Sequence, residues 1–261
     1  MSTQPTSVPA LEEQLGLTRQ GENFEFRVFA PSIKTMNLVF FETADALDGI
    51  RIPMTKQSNN VWLLIHPISQ ATSYYAYEND VDRGRFIADP YSLAVTRQNN
   101  YRASSKTIIL ESDIFDWEGD DFSGVSLADM TIIEAHLRDM TAHKSSAASE
   151  TGTYLGFTDL DQKGGLAHVK DMGYNAVEFL PLQEFGNIEI DFKNPELSTW
   201  NDWNPYENNH WGYMTSYFFA PEIYYGSDGV RDRDVWIGQD GRAVREMKEM
   251  VKSMHKAGVS V

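Results

Sequence analysis

The sequence predicts an all-β sandwich joined to a parallel βα unit, and three observations carry that prediction. Up to about residue 110, short apolar runs alternate at period two between turn residues. An acidic, glycine-punctuated stretch breaks the pattern at Glu118–Gly124. Beyond it, strand-like and helix-like segments take turns, as parallel strands joined by crossover helices do.

In the first part, Phe24, Phe26 and Val28 alternate with Glu25, Arg27 and Phe29, the pattern of a half-buried strand. Further apolar runs lie at Met36–Phe41, Val61–Ile65, Ser73–Tyr77 and Lys106–Leu110. Between them Asp48-Gly49, Ser58-Asn59-Asn60 and Arg83-Gly84 supply turn chemistry, because Gly, Asn and Asp accept backbone conformations that other residues resist. No amphipathic helix interrupts these runs. The expected division is a disordered leader over 1–16, a sandwich over 17–117, a linker over 118–130 and a βα unit over 131–261.

In the second part, Thr131–Arg138 sets Ile133, Ala135 and Leu137 on one face and Ile132, Glu134, His136 and Arg138 on the other. A helix is predicted over Asp161–Met172, with Leu166, Val169 and Met172 at helical spacing and Gly173 to end it. Ala176–Leu180 reads as a second strand, apolar enough to be covered on both faces apart from Glu178. A second helix over Arg242–Lys256 carries the stripe Val244, Met247, Met250, Val251 and Met254, closes at Gly258, and leads into a third strand at Val259. A complete (β/α)8 barrel takes about 250 residues. Residues 131–261 hold roughly half of one, so the unit is either an incomplete barrel or an open βα arrangement. An unfinished parallel sheet leaves a strand edge and apolar faces uncovered, which predicts self-association.

Composition excludes several functions. A formal charge of −16 disfavours nucleic acid and anionic membrane surfaces, both polyanions, and is neutral toward an uncharged polymer. With no cysteine there is neither a disulfide framework nor a thiolate metal site. The opening Met1-Ser2-Thr3-Gln4-Pro5 has no basic and apolar run of the secretory kind, so a cytoplasmic location is expected.

The residues that could carry chemistry cluster in a long connection, Gln183–Gly241, which holds four of the six tryptophans: Trp200, Trp203, Trp211 and Trp236. Tyr206, Tyr213, Tyr217, Phe218, Phe219, Tyr224 and Tyr225 join them. Flat aromatic faces suit sugars, whose C–H groups pack on a ring while hydroxyls reach polar partners. The same rings also serve to pack the loop's own small core. Glu134, His136 and Arg138 read either as a catalytic or metal-binding cluster or as an ion-paired polar layer, and the second reading is preferred. His143, His168 and His255 stand alone, and no local spacing suggests a metal site or a cofactor. Glu184, Glu189 and Asp191 lie in the long connection without the arrangement of an acid–nucleophile pair, so no residue is assigned a catalytic role.

Several segments occur in a telling order: Phe26-Arg27-Val28-Phe29-Ala30-Pro31, Val61-Trp62, Tyr74-Tyr75-Ala76-Tyr77 and Ala88-Asp89-Pro90-Tyr91-Ser92-Leu93 in the first part. Asn209-His210-Trp211-Gly212-Tyr213, Phe218-Phe219-Ala220-Pro221-Glu222 and Arg245–Val259 follow in the second. Together they resemble the pullulanases, isoamylases and glycogen-debranching enzymes of the α-amylase superfamily, over about Phe24 to Val261. The resemblance implies a starch-binding-type, immunoglobulin-like sandwich followed by the first part of a (β/α)8 glycosidase barrel. It implies a retaining α-1,6-glucan hydrolase whose catalytic carboxylates lie beyond Val261, so that this chain by itself is inactive. It further implies that Tyr213 stacks under the sugar at the cleavage site with Trp211 and His210 beside it, while Trp62 and Tyr74 are candidates for an exposed glucan platform. Met214-Thr215-Ser216-Tyr217 departs from the asparagine-containing continuation usual in the family. A non-catalytic α-glucan-binding protein and part of a glucan-branching transferase remain alternatives.

Overall fold

A computed structural model describes residues 14–82, 84–96, 104–110, 115–187, 209–227, 231–232, 235–236 and 238–261. Two four-stranded antiparallel sheets form the first part. One runs β1 (Gly16–Gln20), β2 (Asn23–Phe29), β6 (Val61–Pro67), β5 (Thr55–Lys56) in spatial order. The other runs β4 (Ile50–Pro53), β3 (Met36–Phe41), β7 (Tyr74–Asn79), β8 (Thr107–Ile108). The expected alternation holds in β2, where Phe24, Phe26 and Val28 face a core shared with Leu38, Phe40, Trp62, Tyr75 and Tyr77 of the neighbouring strands. Asn60 turns β5 into β6 with φ 66°, a left-handed conformation that asparagine tolerates. Of the leader predicted over 1–16, residues 1–13 lie outside the described residues. Leu15 is buried and Gly16 opens β1, so that boundary falls earlier than predicted.

A polar hub stiffens this sandwich. The carboxylate of Asp89, fully buried, accepts from the hydroxyls of Tyr75 at 2.7 Å and Tyr77 at 2.9 Å and from the Tyr91 N–H at 2.8 Å. Burial raises the Asp89 pKa, and these three donors oppose the rise. Ser92 closes the turn by donating to the Asp89 carbonyl at 2.6 Å.

The second part holds parallel strands. β9 (Ile132–Ala135) pairs with β10 (Ala176–Phe179), Glu134 beside Glu178, and Ser260 bridges in parallel to Ala176 on the other side of β10. The helix predicted over 161–172 is shorter, α3 (Gly165–Asp171), and Gly173 ends it at φ 81° as expected. Two short helices escaped the periodicity, α1 (Asp139–Ala142) and α2 (Tyr154–Thr158). The final helix, α4 (Arg242–Lys256), spans the predicted residues and buries Ala243, Val244, Met250 and Met254. Ala243, Met250 and Met254 join Leu137, Phe157, Leu166, Val169, Val177, Phe185 and Tyr225 in one core. No helix among the described residues is long and apolar enough to cross a membrane.

The two parts are packed together. Ala94 and Ile108 cluster with Val244 of α4, and Ala88 and Val95 with Ala220. Tyr91 stacks on Phe219 with ring centroids 5.8 Å apart and 14° from parallel. Gly241 meets the sandwich so closely that a Cβ there would stand 2.5 Å from Leu110 Cδ2. The acidic stretch lies along α4: His255 pairs with Asp120 at 2.8 Å, and Lys252 donates to the Asp116 carbonyl at 2.6 Å.

Candidate functional site

The chain leaves β10 through Pro181 and forms β11 (Gln183–Phe185), which pairs antiparallel with β12 (Thr215–Pro221). The turn Asn209–Tyr213 lies just before β12. Asn209 is buried and organises it: its backbone N–H donates to the Asn187 carbonyl at 2.9 Å, its Oδ1 accepts from Gly212 N–H at 3.2 Å, and its Nδ2 donates to the Tyr213 carbonyl at 2.5 Å. Gly212 has φ 76°, and a Cβ there would lie 2.9 Å from the Phe185 ring and 3.0 Å from the Pro181 carbonyl oxygen. Met214 follows at φ 68°, an uncommon conformation for a side chain of that size. The tight turn pushes two rings outward: Trp211 is 57% exposed and Tyr213 56%.

A histidine network supports the turn from beneath. His136 Nε2 donates to the His210 carbonyl at 2.6 Å, with the Tyr225 hydroxyl 3.3 Å away. A carbonyl only accepts, so that nitrogen carries the proton and Nδ1 has the lone pair. Burial is the main cause holding the His136 pKa below its usual value, so the ring is neutral at pH 7. The His210 ring stacks on it at 4.4 Å and 17°, with its Nε2 3.3 Å from the Asp139 carboxylate. Trp211 stands edge-on to both imidazoles.

Deeper still, two carboxyl groups anchor the hairpin. Glu222 accepts from Phe185 N–H at 3.2 Å, Asn187 Nδ2 at 2.9 Å and Tyr224 N–H at 2.8 Å. Glu184 accepts from Ile223 N–H at 3.0 Å, and its other oxygen has no partner among the described residues. Both are fully buried, and burial raises both pKa values, Glu184 further because Glu222 is close. Glu184 therefore lies beneath the hairpin and is not displayed on the exposed turn with Trp211 and Tyr213.

The predicted residues divide clearly. His210, Trp211 and Tyr213 come together on one exposed turn. Trp62 does not fit an exposed platform: it is 4% exposed, packed in the sandwich core with Nε1 donating to the Ala30 carbonyl at 3.1 Å. Its pairing opposite Val28 in the neighbouring strand puts it on the core face. Tyr74 is half-buried, and its hydroxyl donates to the Gln239 carbonyl at 3.1 Å, in the joint between the two parts. The ion-paired layer of Glu134, His136 and Arg138 does not form. β9 ends at Ala135, so alternation no longer governs His136 and Arg138. Glu134 is exposed, and the Arg138 guanidinium lies over the Tyr224 ring at 4.2 Å. Asp191, Glu189, Trp200, Trp203 and Tyr206 lie outside the described residues, as does the Trp236 side chain.

The periodicity reading missed Asn209 and Asp139. Asn209 had a signal, since an Asn shortly before a Gly suits a side-chain-closed turn. Asp139 follows His136 by three residues and has no local partner in the sequence. One ligand-capable atom from each of His136, Asp139 and His210 lies within 4.8 Å of the others, an association of residues 74 positions apart that local spacing hides.

The arrangement is an antiparallel sandwich packed against a parallel βα unit that displays aromatic rings. Residues 14–92 match carbohydrate-binding module 48, the isoamylase N-terminal domain. Over nearly its whole length the chain is similar to isoamylases and glycogen-debranching enzymes, and across about two thirds of it to a pullulanase. It is 29% identical to isoamylase SU1 of Zea mays over 275 residues, covering 95% of this chain and 32% of that protein. It is 26% identical to the glycogen debranching enzyme of Yersinia enterocolitica, covering 95% of this chain and 38% of that one. A crystal structure of pullulanase from Paenibacillus barengoltzii, in complex with maltohexaose and alpha-cyclodextrin, shares the fold at TM-score 0.72 and 24% identity, over 95% of this chain and 36% of that one. The chain thus spans about a third of the length of the curated relatives it matches.

Proposed function

We propose that this chain is the glucan-recognising first part of an α-1,6-acting debranching glycosidase, with Tyr213 as a stacking platform for one glucose ring. The carrying observation is the turn itself. Asn209, Gly212 and the His136–His210 contact hold Trp211 and Tyr213 in the open, where exposing two aromatic rings has a cost that a ligand would remove. The relatives' names and the maltohexaose complex of the pullulanase point to the same class of ligand, an α-1,4/α-1,6 glucan.

In this reading residues 17–117 are the binding module, 118–130 the connection, and 131–261 the first strands and helices of a (β/α)8 barrel. The three parallel segments at Ile132, Ala176 and Ser260 are consistent with that assignment. The sandwich contributes bracing more than binding, because Trp62 and the Tyr74 hydroxyl are both occupied internally. Hydrolysis is assigned to a longer protein in which a carboxylate pair flanks the bond, and a cytoplasmic location goes with the bacterial-type glycogen debranching role.

Affinity electrophoresis through amylopectin or pullulan, beside Tyr213→Ala, tests the reading. Retardation that the variant loses supports it. Retardation unchanged in the variant moves the site elsewhere, and no retardation overturns it.

A further inference from the structure

We propose that His136, Asp139 and His210 form a binding site for a divalent transition-metal ion of the zinc class, with a solvent molecule completing the coordination. The site shares His136 and His210 with the support of the proposed glucan platform, but the test below reads zinc binding alone and stands or falls apart from glucan binding.

The donor set is the first argument. Two imidazoles and one carboxylate suit zinc, copper or nickel, whereas calcium and magnesium prefer oxygen ligands alone. Three protein ligands with one position open to solvent is a recurrent zinc arrangement. Distances come second. Zinc bonds of about 2.0–2.2 Å place two ligand atoms on one ion roughly 3.3–3.6 Å apart. His210 Nε2 already stands 3.3 Å from Asp139 Oδ1, and His136 Nδ1 stands 3.8 Å from the same oxygen. All three ligand atoms lie within 4.8 Å of one another, so closing the site requires a shift at Asp139 and a turn of the His210 ring out of its stack on His136. Both moving side chains are exposed, at 52% and 44%, while the fixed ligand, His136, is the buried one.

The outer shell is the third argument, and the most specific. A metal-binding histidine usually donates its second ring N–H to a carbonyl or carboxylate, which sets the tautomer. His136 does this: Nε2–H points at the His210 carbonyl, and the Nδ1 lone pair turns toward Asp139. The other contact at Nδ1, from Asp139 N–H, is long at 3.4 Å. The nearby Asp139 carboxylate leaves the lone pair facing a second acceptor, and two acceptors repel unless a proton or cation lies between them, as a bound metal ion would.

Calorimetric titration of the full chain with zinc chloride, in a buffer that does not chelate, is the test, alongside His210→Ala, Asp139→Asn and, as a control, His143→Ala. Both site variants alter exposed side chains, so the fold is retained. The expected result is one zinc per chain, with affinity lowered by at least about 100-fold in each site variant and unchanged in the control. Cobalt(II) should give the intense visible bands of a low-coordinate nitrogen-ligated ion, and lose them in His210→Ala. No heat of binding, or binding equally strong in both site variants, would overturn the proposal, the latter meaning that the acidic surface collects cations without a site.

Discussion

Asn209 folds back over its own turn onto Tyr213: its side-chain amide donates to the Tyr213 carbonyl at 2.5 Å while its oxygen accepts from Gly212. One residue thus decides whether the ring at 213 is presented or lost among the loop's other conformations. Asn209→Ala removes both bonds from a buried position and is expected to cost about 1–3 kcal/mol. Amylopectin retardation should fall as far as in Tyr213→Ala, although the tyrosine itself is intact. Urea denaturation and affinity gels on the same preparation separate the two effects.

Gly212→Ala should be worse. The added methyl meets the Phe185 ring and the Pro181 carbonyl, and φ 76° disfavours any side chain. The expected loss is about 2 kcal/mol or more, read as a lowered denaturation midpoint.

The Asp89 hub predicts a stability effect far from the turn. Asp89→Ala leaves the hydroxyls of Tyr75 and Tyr77 buried without their acceptor. A loss of at least about 3 kcal/mol is expected. Asp89→Asn, which keeps the shape, should lose less. Thermal melts of both variants check the order.

Glu184 and Glu222 predict a pH dependence. Their folded pKa values lie above the ordinary 4.5 because both are buried. The protonated forms are therefore favoured in the folded state, and their contribution is fully present below about pH 4.5. It is lost progressively as pH rises through the elevated folded values, because the unfolded chain gives up these protons first. Glu184→Gln imitates the protonated acid, so its melting temperature should fall less than wild type between pH 5 and pH 8. Parallel curves for the two proteins would remove the pair from the explanation.

Exposed apolar side chains predict association. Ile132, Trp211, Met214, Phe218 and Phe219 are all exposed on the βα unit. Sedimentation velocity over a concentration series should show reversible growth in mass, reduced in Phe218→Ser. A monomer at every concentration would contradict this.

Much of this was legible in the sequence, for definite reasons. Phe24, Phe26 and Val28 announce β2 because one face is buried and the other wet, and the Val244–Met254 stripe announces α4 in the same way. Trp62 misled because alternation shows that a strand has two faces without saying which one is the core. Pairing opposite Val28 decides that, and pairing is long-range. His136 and Arg138 misled because the strand stops at Ala135, three residues before the predicted end. The turn Asn209–Tyr213 was visible as a motif, whereas the contact of His136 with the His210 carbonyl joins residues 74 positions apart, beyond any local pattern.

The close seat of Gly241 against Leu110, with the Tyr91–Phe219 stack and the Tyr74–Gln239 bond nearby, has a mechanical meaning. The sandwich has no swivel. It cannot move independently as a tethered module would, so the Tyr213 turn stands at one spacing and one angle from it. That geometry is set by the seat and not by the connecting segment, so lengthening the stretch at Glu118–Gly124 with glycine and serine would leave it unchanged so long as the contact at Gly241 holds.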